Sequence, residues 1–130
     1  MRRAAVFGIV LVALASAGAF FGAQTSDLGL TDFPASGSAA AMPHFLRGLL
    51  LLHSFEYADA AEEFRKAEKA DLGFAMAYWG EAMTFNHPLW MQRDRDAAVK
   101  ALERLAPTRE ARTKAPTERE RMYLDAIEEL

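Results

Sequence analysis

The chain has 130 residues, of which 52% are hydrophobic and 25% charged, a balance that excludes a disordered tail and allows one modest domain. Cysteine is absent, which removes disulfides, thiolate nucleophiles and zinc-cysteine sites together. The formal net charge of −3 leaves no basic excess to attract nucleic acid or an anionic membrane surface.

Residues 1–23, MRRAAVFGIVLVALASAGAFFGA, have the layout of a secretory signal: Arg2 and Arg3, an apolar run from Ala4, then small residues. Ala17-Gly18-Ala19 offers the small-x-small pattern before one cut, and Phe21-Gly22-Ala23 ends a second candidate. The expected destination is the periplasm or the outside, with retention as an N-terminal membrane anchor as the alternative. Removal of the signal takes 15 basic residues to 13 against 18 acidic ones, a net charge of −5. Residues 24–41, QTSDLGLTDFPASGSAAA, carry no sustained period and read as a flexible linker. The folded domain is expected over 42–130.

From Met42 the period becomes helical. Pro43 suits a first helical turn, and Phe45, Leu49 and Leu52 with Leu46 and Leu50 make 43–54 apolar nearly all round, as a helix buried on more than one side requires. The pattern restarts after Ser54-Phe55-Glu56. Tyr57, Ala60, Ala61, Phe64, Ala67 and Ala70 then form one face, opposite Asp59, Glu62, Glu63, Arg65, Lys66, Glu68 and Lys69, which predicts an amphipathic outer helix. Asp71-Leu72-Gly73 breaks it. A third helix over 74–85 is again apolar nearly all round apart from Glu81, and Asn86-His87-Pro88 ends it because proline disfavours helix in the residue before it. A fourth helix is expected within 88–106, carrying Ala97, Ala98, Ala101, Leu102 and Leu105 on its inner face. Thr117 with Glu120 three residues on is a capping box, and Met122, Tyr123, Ala126, Ile127 and Leu130 continue it at helical spacing.

Buried, amphipathic, buried, amphipathic is the alternation of a helical-hairpin repeat. Gly48 and Ala82, Phe45 and Trp79, His44 and Tyr78, and His53 and His87 all stand 34 residues apart. Gly48, Tyr57, Ala60, Phe64 and Ala67 fall at the spacing of the tetratricopeptide repeat, and on these residues the chain resembles that family. His44, Leu51 and Leu72 depart from its pattern, and the second unit slips by about four residues around Asn86 to Trp90. Residues 43–90 also look like a group of exported bacterial tetratricopeptide proteins. The resemblance implies an all-α helical-hairpin solenoid of two repeats plus the first helix of a third. Because a repeat array needs about three units and a polar closing helix, the third start implies further repeats in a longer chain, or a homodimer.

The sequence has no glycine-rich phosphate loop, HExxH or nucleophile elbow, so no catalysis is expected. In the resembled family the inner helices line a concave groove. Here that implies a partner-binding surface that includes Phe45, His53, Met76, Trp79, Met83, Asn86 and His87, suited to a protein or peptide partner with Trp79 as anchor and Asn86 as clamp. No cofactor is required. The alternative is a periplasmic metal-binding protein in which His53 and His87, one repeat apart, share Zn²⁺ or Cu²⁺ with Glu81 as a third ligand. Otherwise Glu81, alone on an apolar helix, needs a polar partner such as Arg47. Glu62-Glu63 and Glu128-Glu129 read as solvated faces.

Overall fold

The computed structural model describes residues 28–130. The expected signal, 1–23, lies outside them, as do residues 24–27. The described chain is all-α apart from one two-residue strand pair: α1 (Met42–His53), α2 (Tyr57–Ala70), α3 (Ala75–Met83), β1 (Asn86–His87), a 3-10 turn (Pro88–Trp90), β2 (Gln92–Arg93), α4 (Arg95–Leu105), α5 (Arg109–Arg112) and α6 (Glu118–Ile127). Among the described residues no helix is long and apolar enough to cross a membrane.

Local chemistry sets the ends of these helices. Pro43 occupies the first turn of α1, where its missing N–H costs nothing. Asp71 stops α2, its Oδ1 accepting the Gly73 N–H at 3.1 Å in a short polar turn. Thr84 closes α3 by donating from its hydroxyl to the Glu81 carbonyl at 2.6 Å. The Asp94 side chain caps α4 by accepting from Ala97 N–H, and the capping box of Thr117 and Glu120 opens α6 in both directions.

Helices α1 and α2 form one hairpin, α3 and α4 a second, and α3 sits centrally against α1, α2, α4 and α6. That placement explains why α3 can be apolar nearly all round. Phe64 from α2 enters where α1 and α3 pass closest: a Cβ on Gly48 would stand 2.8 Å from its ring, and one on Gly80 only 2.3 Å. Phe45 and Phe74 continue the aromatic core, with centroids 5.9 Å from Phe64 to Phe45 and 4.9 Å from Phe45 to Phe74.

The fourth helix, Arg95–Leu105, lies within the expected 88–106, and before it Asn86 to Arg93 form a bracket in which β1 and β2 pair antiparallel, Asn86 opposite Arg93 and His87 opposite Gln92. This bracket falls where the repeat spacing slips. The described part of the expected flexible linker, 28–41, has almost no secondary structure but is packed, with Leu28, Phe33 and Ala35 against the core and Ala41 fully buried. A stretch without a sequence period is here held by particular side chains.

Gly80→Ala is expected to lower stability by about 1–3 kcal/mol, since the added methyl drives the Phe64 ring out of its seat, whereas Lys100→Ala on an exposed face changes it by less than about 0.5 kcal/mol. Chemical denaturation of the two variants checks the pair; equal effects would refute the close crossing.

Candidate functional site

The residues expected to line an open groove divide into two sets. Phe45 and Met76 are both fully buried and belong to the core, not to a free groove surface, while Trp79, 8% exposed, packs in the core and also borders an open hollow. What covers them comes from both ends of the described chain. Phe33 stacks on Trp79 with centroids 6.4 Å apart and meets Phe45 edge-on at 5.6 Å. Tyr123 of α6 touches both Phe33 and Trp79, at 5.5 and 5.2 Å.

The other set stays at the surface. His53, Met83 and Asn86, with Leu52, Phe55, Tyr57, Trp79 and Pro88, wall an open hollow of about 380 Å³. Asn86 Oδ1 is buried and has no hydrogen-bond partner among the described residues. At the rim, His87 stacks on Tyr57 with centroids 3.9 Å apart, and Trp90 packs edge-on against Phe55, Tyr57 and His87. Phe55 remains 49% exposed and Trp90 55%, beside the more exposed Leu89 and Met91. Phe55 (φ 63°) and Met91 (φ 52°) are the two non-glycine residues with positive φ among those described. For side chains of this bulk that backbone conformation is strained, and surrounding structure must hold it. Both strained residues flank the same aromatic cluster.

The histidines are committed locally. His53 Nδ1–H donates to the Leu49 carbonyl at 2.7 Å and His87 Nε2–H to the Thr84 carbonyl at 2.8 Å. The third ligand offered for a metal, Glu81, lies in a different network. Its carboxylate accepts from Arg65 Nε at 2.8 Å and from Arg104 Nη2, not from Arg47, which faces Glu63. Among the described residues no three His, Asp or Glu side chains gather as a metal site requires, which corrects the grouping of His53, His87 and Glu81.

The carboxylates read as solvated faces also need correction. Glu63 is buried and held by His44 and Lys66, and Glu128 forms two bonds to the buried Arg112, at 2.5 and 2.9 Å, while Glu62 and Glu129 remain exposed. Glu68, placed on the outer face by periodicity, is buried instead. Arg104 bridges it to Glu81, so that two carboxylates share one guanidinium at the junction of α2, α3 and α4. Burial first, then the adjacent Glu81 carboxylate, push the Glu68 carboxyl up to about 8 against the pull of Arg104. Burial also opposes ionisation of Glu81, but its bonds with Glu68, Arg65 and Arg104 prevail and hold it below the ordinary carboxylate range. The pair retains one proton near neutral pH, a property of the two groups together. Beside it Arg65, Glu68, Lys69, Leu72, Tyr78 and Arg104 line an open hollow of about 320 Å³.

Comparison with known proteins adds no relative: no family model, curated protein or solved structure matches the chain.

Because the folded-state carboxyl of Glu68 is raised, the stability it contributes is complete below its ordinary titration and is lost as pH rises towards about 8. Glu63, Glu81 and Glu120 are lowered, so their contribution is lost on the acid side. The melting temperature is therefore expected to fall from about pH 5 to about pH 8. Glu68→Gln should flatten that limb. A wild-type melting temperature that is constant over this range would refute the shared proton.

Proposed function

We propose that the protein is an exported tetratricopeptide-like scaffold that binds a protein or peptide partner along its inner face and performs no catalysis of its own. The observation that carries this reading is the rim cluster of Phe55, Tyr57, His87 and Trp90, continuous with the hollow walled by Leu52, Trp79 and Met83. Aromatic side chains of this kind anchor interfaces because they bury a large area with few rotatable bonds. The four rings pack on one another, which orders them before any partner arrives. The signal-like residues 1–23 support export, and the spacing of Gly48, Tyr57, Ala60, Phe64 and Ala67, together with the two helical hairpins, supports the repeat reading.

Panning a library of random displayed peptides against the purified chain tests the reading. Peptides that enrich should depend on the rim, with Trp90→Ala weakening their binding by at least about tenfold and Lys100→Ala leaving it unchanged. Enrichment of no peptide, or of peptides indifferent to Trp90, would overturn it.

A further inference from the structure

The inner cleft between α1, α3 and α6 is filled by the chain itself. Residues 28–38 have no helix or strand; Phe33 to Gly37 lie in the cleft, with alternate residues Phe33, Ala35 and Gly37 half-buried while their neighbours face out, and Gly29 to Asp32 are exposed. This is the way an extended peptide lies in a groove. Phe33 fills the aromatic seat formed by Phe45, Trp79 and Tyr123, and the Arg119 guanidinium covers its outer face at 4.3 Å. Polar groups read the backbone on either side of the ring. Arg119 Nη1 donates to the Pro34 carbonyl at 3.2 Å. Glu120 takes both the backbone N–H and the hydroxyl of Ser36, each at 2.7 Å, one on each carboxylate oxygen. Asp71 Oδ2 accepts the Ser38 N–H at 2.8 Å. Gly37 lies flat on the Phe74 ring, where a Cβ would stand 2.6 Å away.

An aromatic seat, a carboxylate that takes two donors from one serine, and a face that admits only glycine together define a recognition site. We infer that this cleft is a peptide-binding site that the chain occupies with its own residues 28–38, and that its partner is an extended polypeptide presenting an aromatic residue, proline, a small residue, serine and glycine in that order. The inference deepens the proposed binding role and rests on it. Trp79 belongs both to the seat of Phe33 and to the open hollow. A ligand running along the inner face thus passes from the rim into the occupied cleft and displaces the segment. The segment has no helix or strand to hold it, Gly29 to Asp32, Pro34, Ser36 and Ser38 are exposed, and displacing it means withdrawing Leu28, Phe33 and Ala35 from the core and breaking a few hydrogen bonds.

The test uses a fluorescent peptide of residues 28–40, LGLTDFPASGSAA, titrated into the purified chain and its variants. In the wild-type chain the internal segment competes, and apparent affinity falls by the fraction of molecules with an open cleft. Phe33→Ala in the protein should open the cleft and strengthen peptide binding at least about tenfold, while a peptide carrying the same substitution should bind neither chain. If Phe33→Ala does not fold by circular dichroism, Gly37→Ala takes its place, because it blocks seating without emptying the aromatic core. Equal binding to wild type and the folded variant, or binding to neither, would overturn the inference. So would a doubled mass in the unliganded variant, which would mean exchange of the segment between two copies. Trp90→Ala, the variant that weakens rim binding, should leave binding of the 28–40 peptide to the opened chain unchanged. Loss of one behaviour without the other thus separates failure of the cleft from failure of the rim.

Discussion

The seating of Phe64 between Gly48 and Gly80 is the constraint on which the other contacts depend. An aromatic ring can lie where two helices cross only if neither helix presents a side chain there, and a Cβ on either glycine would overlap the ring. With α1, α2 and α3 drawn together in this way, Phe45 and Trp79 come onto one surface, close enough for a single Phe33 ring to touch both. The same approach places Glu81 of α3 against Arg65 of α2, and α4 then supplies Arg104 to the pair. Removing that crossing would part the aromatic seat and the buried ion cluster alike.

The two polar networks of the interior illustrate different outcomes of burying a carboxylate. Glu120 is saturated: Ser36, Thr117 and its own helix start satisfy both oxygens, and it stays ionised as one unit with the α6 cap. Glu68 is not, because Arg104 also serves Glu81, and Glu68 Oε1 is buried without a partner among the described residues. Retaining a proton is the less costly state for an acid left so poorly matched. Nothing in the identity of the residues distinguishes these glutamates; the number of donors aimed at each does.

Periodicity made the helices legible. Phe64 and its alanine neighbours were readable as an inner face, and the Thr117 and Glu120 capping box was readable letter by letter, because both depend on residues within a few positions of one another. Gly80 was not singled out. Repeat spacing pointed to Ala82, which is buried, but the Phe64 ring lies over the glycine two residues earlier. The buried roles of Glu63, Glu68 and Glu128 escaped for a common reason: a helical face shows where a charge sits along one helix, not whether an arginine or histidine from another will cover it. Arg104 lies 36 residues from Glu68 and 23 from Glu81. The packed segment 28–38 was the hardest to foresee, since its alternation extends over only three inward residues in a stretch rich in glycine, serine and alanine. In the candidate site, His87, Asn86 and Trp79 were legible as a group, whereas Phe55 and Tyr57 join them only through the turn after α1.

The bond between Ser36 and Glu120 joins residues 84 positions apart. Closing a flexible loop of that length in an unfolded chain costs about 4 kcal/mol by the logarithmic law alone, which consumes most or all of what two hydrogen bonds to a carboxylate return. If the two helical hairpins form first, most of that distance is already spanned by folded structure and the remaining closure is local. On that order of assembly, in a chain made from its N-terminus, the segment around Phe33 would be among the first of the described residues to emerge and the last to find its place, since Tyr123 must arrive to complete the seat.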